Sequence, residues 1–217
     1  MTLIKTQPRT IDDVIDALQT AASRVSGSIA SLTVIMRDGR IFSGTAYCVD
    51  KRGYFVTALH CVQGDMADAF IAMDALHPVT VIAVDEKTDL ALLKVEGTTC
   101  DFEPVMFAQS APAAEEIVGG LGYPGGQLSV SLESFLVRCY GAITDGIGPE
   151  GFAINGNKMQ NGLCFVGAQM ELAGYSGGPI VNEHGEVVSS VSKGCTEASF
   201  VMGPSAADIV AFISQYI

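Results

Sequence analysis

Behind Thr10, apolar residues at Ile11, Val14, Ile15, Leu18, Ala21 and Ala22 recur at helical spacing. Thr10 with Asp12 and Asp13 makes an N-terminal cap with acidic residues in the first turn, and Gly27 stops the helix. From there the pattern changes to short apolar runs. The stretches 29–36 and 41–49 flank Asp38-Gly39, a strong hairpin signal. A second turn at 50–53 leads into a strand at 54–58, followed by strands at 70–73, 79–84 and 90–95. Short strands at this regular spacing predict a small β-barrel.

Residues 97–116 carry few strand signals, and Pro104 and Pro112 interrupt them. They read as a crossover to a second strand-rich half, with strands at 117–121, 128–132, 135–144, 162–169, 179–182, 187–192 and 199–202. A closing helix opens at Pro204-Ser205-Ala206-Ala207-Asp208 and places Ile209, Val210 and Ile213 on one face. The expected organisation is an N-terminal helical extension (1–28), a first barrel (29–110), a second barrel (111–203) and a C-terminal helix (204–217), with a cleft between the barrels.

Composition narrows the function. An apolar fraction of 48% with 17% charged residues specifies a folded chain. The net charge of −12 argues against nucleic acid and against an anionic membrane surface. No stretch approaches the length of a membrane span, and residues 1–10 lack the apolar core of an export signal, so a cytoplasmic location is expected. Six cysteines without any CxxC pair read as reduced, buried thiols, and no metal or cofactor is expected.

The candidate chemistry lies in three places. His60 ends the strand at 56–59, Asp89 begins the strand at 90–95, and Ser176 sits in Gly174-Tyr175-Ser176-Gly177-Gly178-Pro179. Alone, the hexapeptide reads equally as a glycine-rich turn or as a nucleophile beside backbone donors. Histidine accepts a serine proton near neutral pH, and aspartate fixes the imidazole tautomer. That order, His-Asp-Ser, in those settings favours the nucleophile.

The motifs around these residues resemble the chymotrypsin-fold serine proteases, closest in texture to the HtrA/Deg branch. The carriers are Gly53-Tyr54-Phe55-Val56-Thr57-Ala58-Leu59-His60, Thr88-Asp89-Leu90-Ala91-Leu92-Leu93-Lys94-Val95 and the hexapeptide, followed by Gly185-Glu186-Val187-Val188 and Phe200-Val201-Met202-Gly203. The resemblance covers residues 29–217. It implies an all-β protein of two antiparallel six-stranded barrels, and an endopeptidase acting on proteins or peptides through an acyl-enzyme. By motif, His60 is general base and acid, Asp89 orients it, Ser176 attacks, and the N–H groups of Gly174 and Ser176 form the oxyanion hole. Ser192-Lys193-Gly194 matches the segment that pairs with substrate backbone, and Met170 falls at the base of the specificity pocket, implying small or medium apolar residues there.

Two departures stand out. Tyr175 replaces the aspartate that trypsins pair with a newly cut N-terminus, so activity is expected to be constitutive or gated by loop ordering. Cys61 matches one half of the disulfide that brackets the trypsin histidine, but Cys48 falls late and should face Phe55, so the two are expected to be unbonded. Alternative readings are a protease-like module that binds without turnover, and a processing protease dedicated to one substrate, which the lack of a PDZ-type segment after Ile217 would suit.

Overall fold

The computed structural model describes residues 9–97, 102–127, 129–143, 146–147, 153–154, 159–166, 173–195 and 200–217. Helix α1 spans Ile11–Val25, and its first turn is closed by the reciprocal bonds of a capping box between Thr10 and Asp13. Strands β1 (Ile29–Met36), β2 (Ile41–Asp50) and β3 (Tyr54–Ala58) follow, then a single helical turn, α2 (Leu59–Val62). Strands β4 (Met66–Ala72), β5 (Leu76–Asp85) and β6 (Leu90–Val95) complete a closed barrel of order β1-β2-β3-β6-β5-β4. Alternation along β1 sends Ala30, Leu32, Val34 and Met36 into the barrel, where they meet Phe55, Ile71 and Leu93.

Strand β6 does not alternate, because both of its faces are covered. Leu93 points into the barrel, while Leu90 and Leu92, with Tyr47 and Val56, pack against the second half and the last helix. Fully burying a Leu or Val side chain stabilises by about 1.5–3 kcal/mol. This shared layer therefore joins the two halves firmly and fixes how their edges meet.

The second half comprises β7 (Met106–Phe107), β8 (Ile117–Gly122), β9 (Ser131–Ile143), β10 (Gly146–Ile147), β11 (Ala153–Ile154), β12 (Met159–Val166), β13 (Pro179–Val181), β14 (Glu186–Ser190), β15 (Lys193–Cys195) and β16 (Phe200–Gly203). Helix α3 (Ala206–Ile213) closes the chain, capped by the Ser205 hydroxyl. Among the described residues these strands form a pair, β10-β11, and an eight-stranded sheet of order β15-β16-β12-β9-β8-β13-β14-β7. The sheet is wider than the expected six strands. The crossover contributes β7, which pairs parallel with β14, and Lys193–Cys195 pairs with β16 at the other edge.

The strands expected at 128–132 and 135–144 are one strand, β9. Glu133 and Ser134, which interrupt its apolar pattern, continue the ladder opposite Gly120 and Gly119 of β8. Leu128, Thr144, residues 167–169 and Ser199 of the expected strands lie outside the described residues. Helix α1 is integral to this half, its Leu18, Ala21 and Ala22 buried and its length packed on β8, β9 and β13.

Candidate active site

The register of β3 on β6 brings His60 and Asp89 together. Ala58 pairs with Leu90, so the residues just after β3 lie beside the residue just before β6. His60 is not on the strand, as expected from sequence, but in the turn of α2, where the backbone has left the sheet and the ring is free to swing over Asp89. The Leu59 N–H donates to the Asp89 carbonyl at 2.8 Å, and the His60 N–H donates to Asp89 Oδ1 at 3.0 Å. The imidazole Nδ1 lies 2.7 Å from Asp89 Oδ2. An ionised carboxylate only accepts, so Nδ1 carries the proton and Nε2 is left as the basic nitrogen.

Asp89 is 9% exposed and holds φ at +56°, a left-handed conformation that costs most residues about 1–2 kcal/mol and that Asp tolerates better than most. The strain aims the carboxylate back across His60. A third donor completes the arrangement: the Ser192 hydroxyl, itself buried, donates to Asp89 Oδ2 at 2.5 Å. Burial pushes the Asp89 pKa up, but the His60 ring, the Ser192 hydroxyl and the His60 N–H outweigh it and hold the carboxyl below its ordinary range. For His60, burial pulls the pKa down, and the Asp89 carboxylate, aided by the Cys61 sulfur, more than offsets this and raises it.

Ser176 arrives from the second half. Its carbonyl accepts the Thr45 N–H of β2 at 2.9 Å and lies 3.7 Å from the Cys61 sulfur, one residue beyond His60. Gly177, at φ +82°, permits this docking: a Cβ there would sit 2.2 Å from Thr57 Oγ1 and 2.4 Å from the Thr45 carbonyl oxygen. Among the described residues no hydrogen bond joins Ser176 Oγ to the His60 ring. Such bonds are often long in unliganded sites and tighten with substrate. The Gly174 and Ser176 N–H groups have no acceptor among the described residues.

Of the expected substrate-contacting residues, Lys193 and Gly194 lie exposed on edge strand β15. Ser192 precedes them, but its side chain is turned inward to Asp89. Met170 lies outside the described residues. Tyr175 is 1% exposed, packed among Val118, Phe135, Phe165 and Ile180, and burial followed by the nearby Glu133 charge pushes its phenol up to about 12. Two contributors escaped the sequence: the Ser192–Asp89 bond and the role of Thr45. Thr45 lies within β2 and Ser192 just before β15; a buried hydroxyl requires a partner, but the partners lie far away in sequence.

Cys48 and Cys61 are free thiols, and Cys48 does pair across from Phe55. The residue facing Cys61 is Gly44. An ideal Cβ there would lie 3.0 Å from Cys61 Sγ and 3.6 Å from its Cβ, within the Cβ–Cβ range of about 3.5–4.5 Å that a disulfide needs. Gly44→Cys is expected to form a bridge to Cys61 under mild oxidation. Thiol titration checks this: two fewer reactive thiols than in the reduced variant, restored by dithiothreitol.

A closed six-stranded barrel and a second β-sheet, joined over a shared apolar layer, define the chymotrypsin-like class. The chain belongs to the trypsin-like peptidase domain family, whose model matches residues 44–189. It is 31% identical over 170 residues, 75% of its length, to a probable periplasmic DegP-like serine endoprotease of Hahella chejuensis, and 28% identical over 151 residues, 69% of its length, to the uncharacterized protein y4bJ of Sinorhizobium fredii. The chain spans 32% and 22% of those two proteins. In fold it matches the active form of the Rv3671c protease from M. tuberculosis with a TM-score of 0.76 at 19% identity, covering 99% of this chain and 94% of that one. Among the described residues no helix is long and apolar enough to cross a membrane.

Proposed function

We propose that this chain is a serine endopeptidase in which Ser176 is the nucleophile, His60 the general base and then acid, and Asp89 the residue that orients and stabilises the imidazolium. The observation that carries this is the His60–Asp89 pair, with the carboxylate accepting from Nδ1 and from the His60 N–H. In that arrangement Nε2 takes the serine proton, the alkoxide attacks the scissile carbonyl, and the same proton passes to the leaving amine. The Gly174 and Ser176 N–H groups receive the developing oxyanion. Substrates are proteins or peptides, aligned along the exposed edge of β15 at Lys193 and Gly194. The preference for small or medium apolar residues rests on Met170 in the sequence motif.

The pH dependence tests this reading. General-base catalysis needs neutral His60, whose pKa is raised above its ordinary 6.5. The acid limb of kcat/KM is therefore expected to lie above pH 6.5, with rate falling about tenfold per pH unit below it. A profile measured from pH 5 to 10 on a peptide substrate checks this. Flat activity through pH 6–8, or an acid limb below 6.5, would argue against His60 as the base.

A further inference from the structure

The serine loop is held by its carbonyls. The Ala173 C=O accepts the Gly125 N–H at 3.1 Å, the Gly174 C=O accepts Thr45 Oγ1 at 2.6 Å, the Tyr175 C=O accepts the Gly178 N–H at 2.8 Å, and the Ser176 C=O accepts the Thr45 N–H at 2.9 Å. A trans peptide points its N–H opposite to its C=O. Tethering the Ala173 carbonyl thus turns the Gly174 N–H the other way, and tethering the Tyr175 carbonyl does the same for the Ser176 N–H. Among the described residues the N–H groups of Gly174, Tyr175 and Ser176 have no acceptor.

Two of the four tethers come from Thr45, and a third depends on it. Its hydroxyl donates to Gly174 and accepts the Tyr123 N–H at 3.1 Å. Tyr123 leads into the turn at Pro124–Gly126, which delivers the Gly125 N–H to Ala173. The space is tight: a Cβ on Gly174, where φ is +97°, would lie 2.2 Å from the Tyr123 carbonyl oxygen. Thr45 is itself fully buried, and its carbonyl accepts the Thr57 hydroxyl at 2.7 Å, which anchors it to β3.

We propose that Thr45 is the positioning residue of the oxyanion site, its hydroxyl clasping the Gly174 carbonyl and the Tyr123 N–H so that the Gly174 and Ser176 N–H groups face the substrate carbonyl. The clasp rests on the catalytic reading above. It supplies, from within the first barrel, the loop order that trypsins draw from an ion pair at the position of Tyr175. Without the hydroxyl, a part-buried carbonyl and a buried N–H lose their partners together. The Gly174–Tyr175 peptide then loses its tether directly, and the turn from Tyr123 that delivers the Gly125 N–H to the Ala173 carbonyl loosens with it, so the Ala173–Gly174 peptide can rotate and withdraw one oxyanion donor.

The test compares wild type with Thr45→Val, Thr45→Ala and Thr45→Ser, measuring kcat, KM, the affinity of a peptide aldehyde that forms a tetrahedral adduct on the serine, and thermal unfolding. Loss of one oxyanion donor costs about 10²–10³-fold in kcat. Thr45→Val and Thr45→Ala are expected to lower kcat by about 10²-fold, with KM near wild type and aldehyde affinity falling in parallel. Thr45→Ser restores both. The proposal is overturned if the Val and Ala variants turn over like wild type, if Ser is as impaired as Val, or if the loss lies in KM alone. Should Thr45→Val fail to fold, the Ala–Ser comparison decides by the same criteria. A wild type without Ser176-dependent turnover overturns the catalytic reading and the clasp together, whereas an active wild type matched by Thr45→Val overturns the clasp alone.

Discussion

Replacing Ser176 by alanine is expected to lower kcat by about 10⁶-fold, the scale seen when the nucleophile of a serine protease is removed. The variant should fold as wild type does. Ser176 is held by its carbonyl, through Thr45 and Cys61, and alanine retains that carbonyl. Its hydroxyl makes no hydrogen bond among the described residues, so removing it strands no buried partner. Thermal unfolding within a degree or two of wild type, with turnover at background and substrate affinity retained, is the combined signature. Loss of activity accompanied by loss of fold would place the serine in the scaffold instead. Retained turnover would remove it from the chemistry.

Asp89→Asn is expected to lower kcat by about 10⁴-fold, the scale of the same substitution in a chymotrypsin-type triad. The effect is chemical rather than conformational, because asparagine tolerates the left-handed backbone that Asp89 adopts at φ +56°. The carboxylate receives three donors: the His60 N–H, the imidazole Nδ1 and the Ser192 hydroxyl. An asparagine amide offers one oxygen and one NH₂, so at least one donor meets another donor. If the NH₂ faces Nδ1, the imidazole proton moves to Nε2 and the base is lost. Mispairing one buried group also costs about 1–3 kcal/mol of stability. Steady-state kinetics beside thermal unfolding separates the two effects. A loss in kcat smaller than tenfold would mean that Asp89 does not govern the tautomer.

Much of this was legible in the sequence, for identifiable reasons. Thr10 and the spaced apolar residues behind it specify α1 locally, and the Asp38-Gly39 turn specifies the β1–β2 hairpin. The pairing of His60 with Asp89 follows from motif, but its cause, Ala58 opposite Leu90, is a long-range register that no local pattern reveals. Helix α2 is too short to show periodicity, which is why His60 read as the end of a strand. Glu133 and Ser134 read as a break because they are polar, whereas the ladder that carries them past Gly120 and Gly119 is made by backbone groups that the side-chain pattern does not show. Ser192 read as a substrate contact, and its bond to Asp89 spans 103 residues. Tyr175, the least explained residue of the hexapeptide, is an aromatic side chain in the core of the second half, and the ordering of the loop rests on Thr45 and Gly125 instead.

The central claim is that Ser176 is a nucleophile activated by His60 and Asp89. Peptide mapping by mass spectrometry after brief exposure of the native protein to a fluorophosphonate tests it most directly. The account predicts a single phosphonyl adduct on Ser176, absent in Ser176→Ala and in heat-unfolded protein. No adduct on the native protein, or an adduct on a different residue, would contradict it.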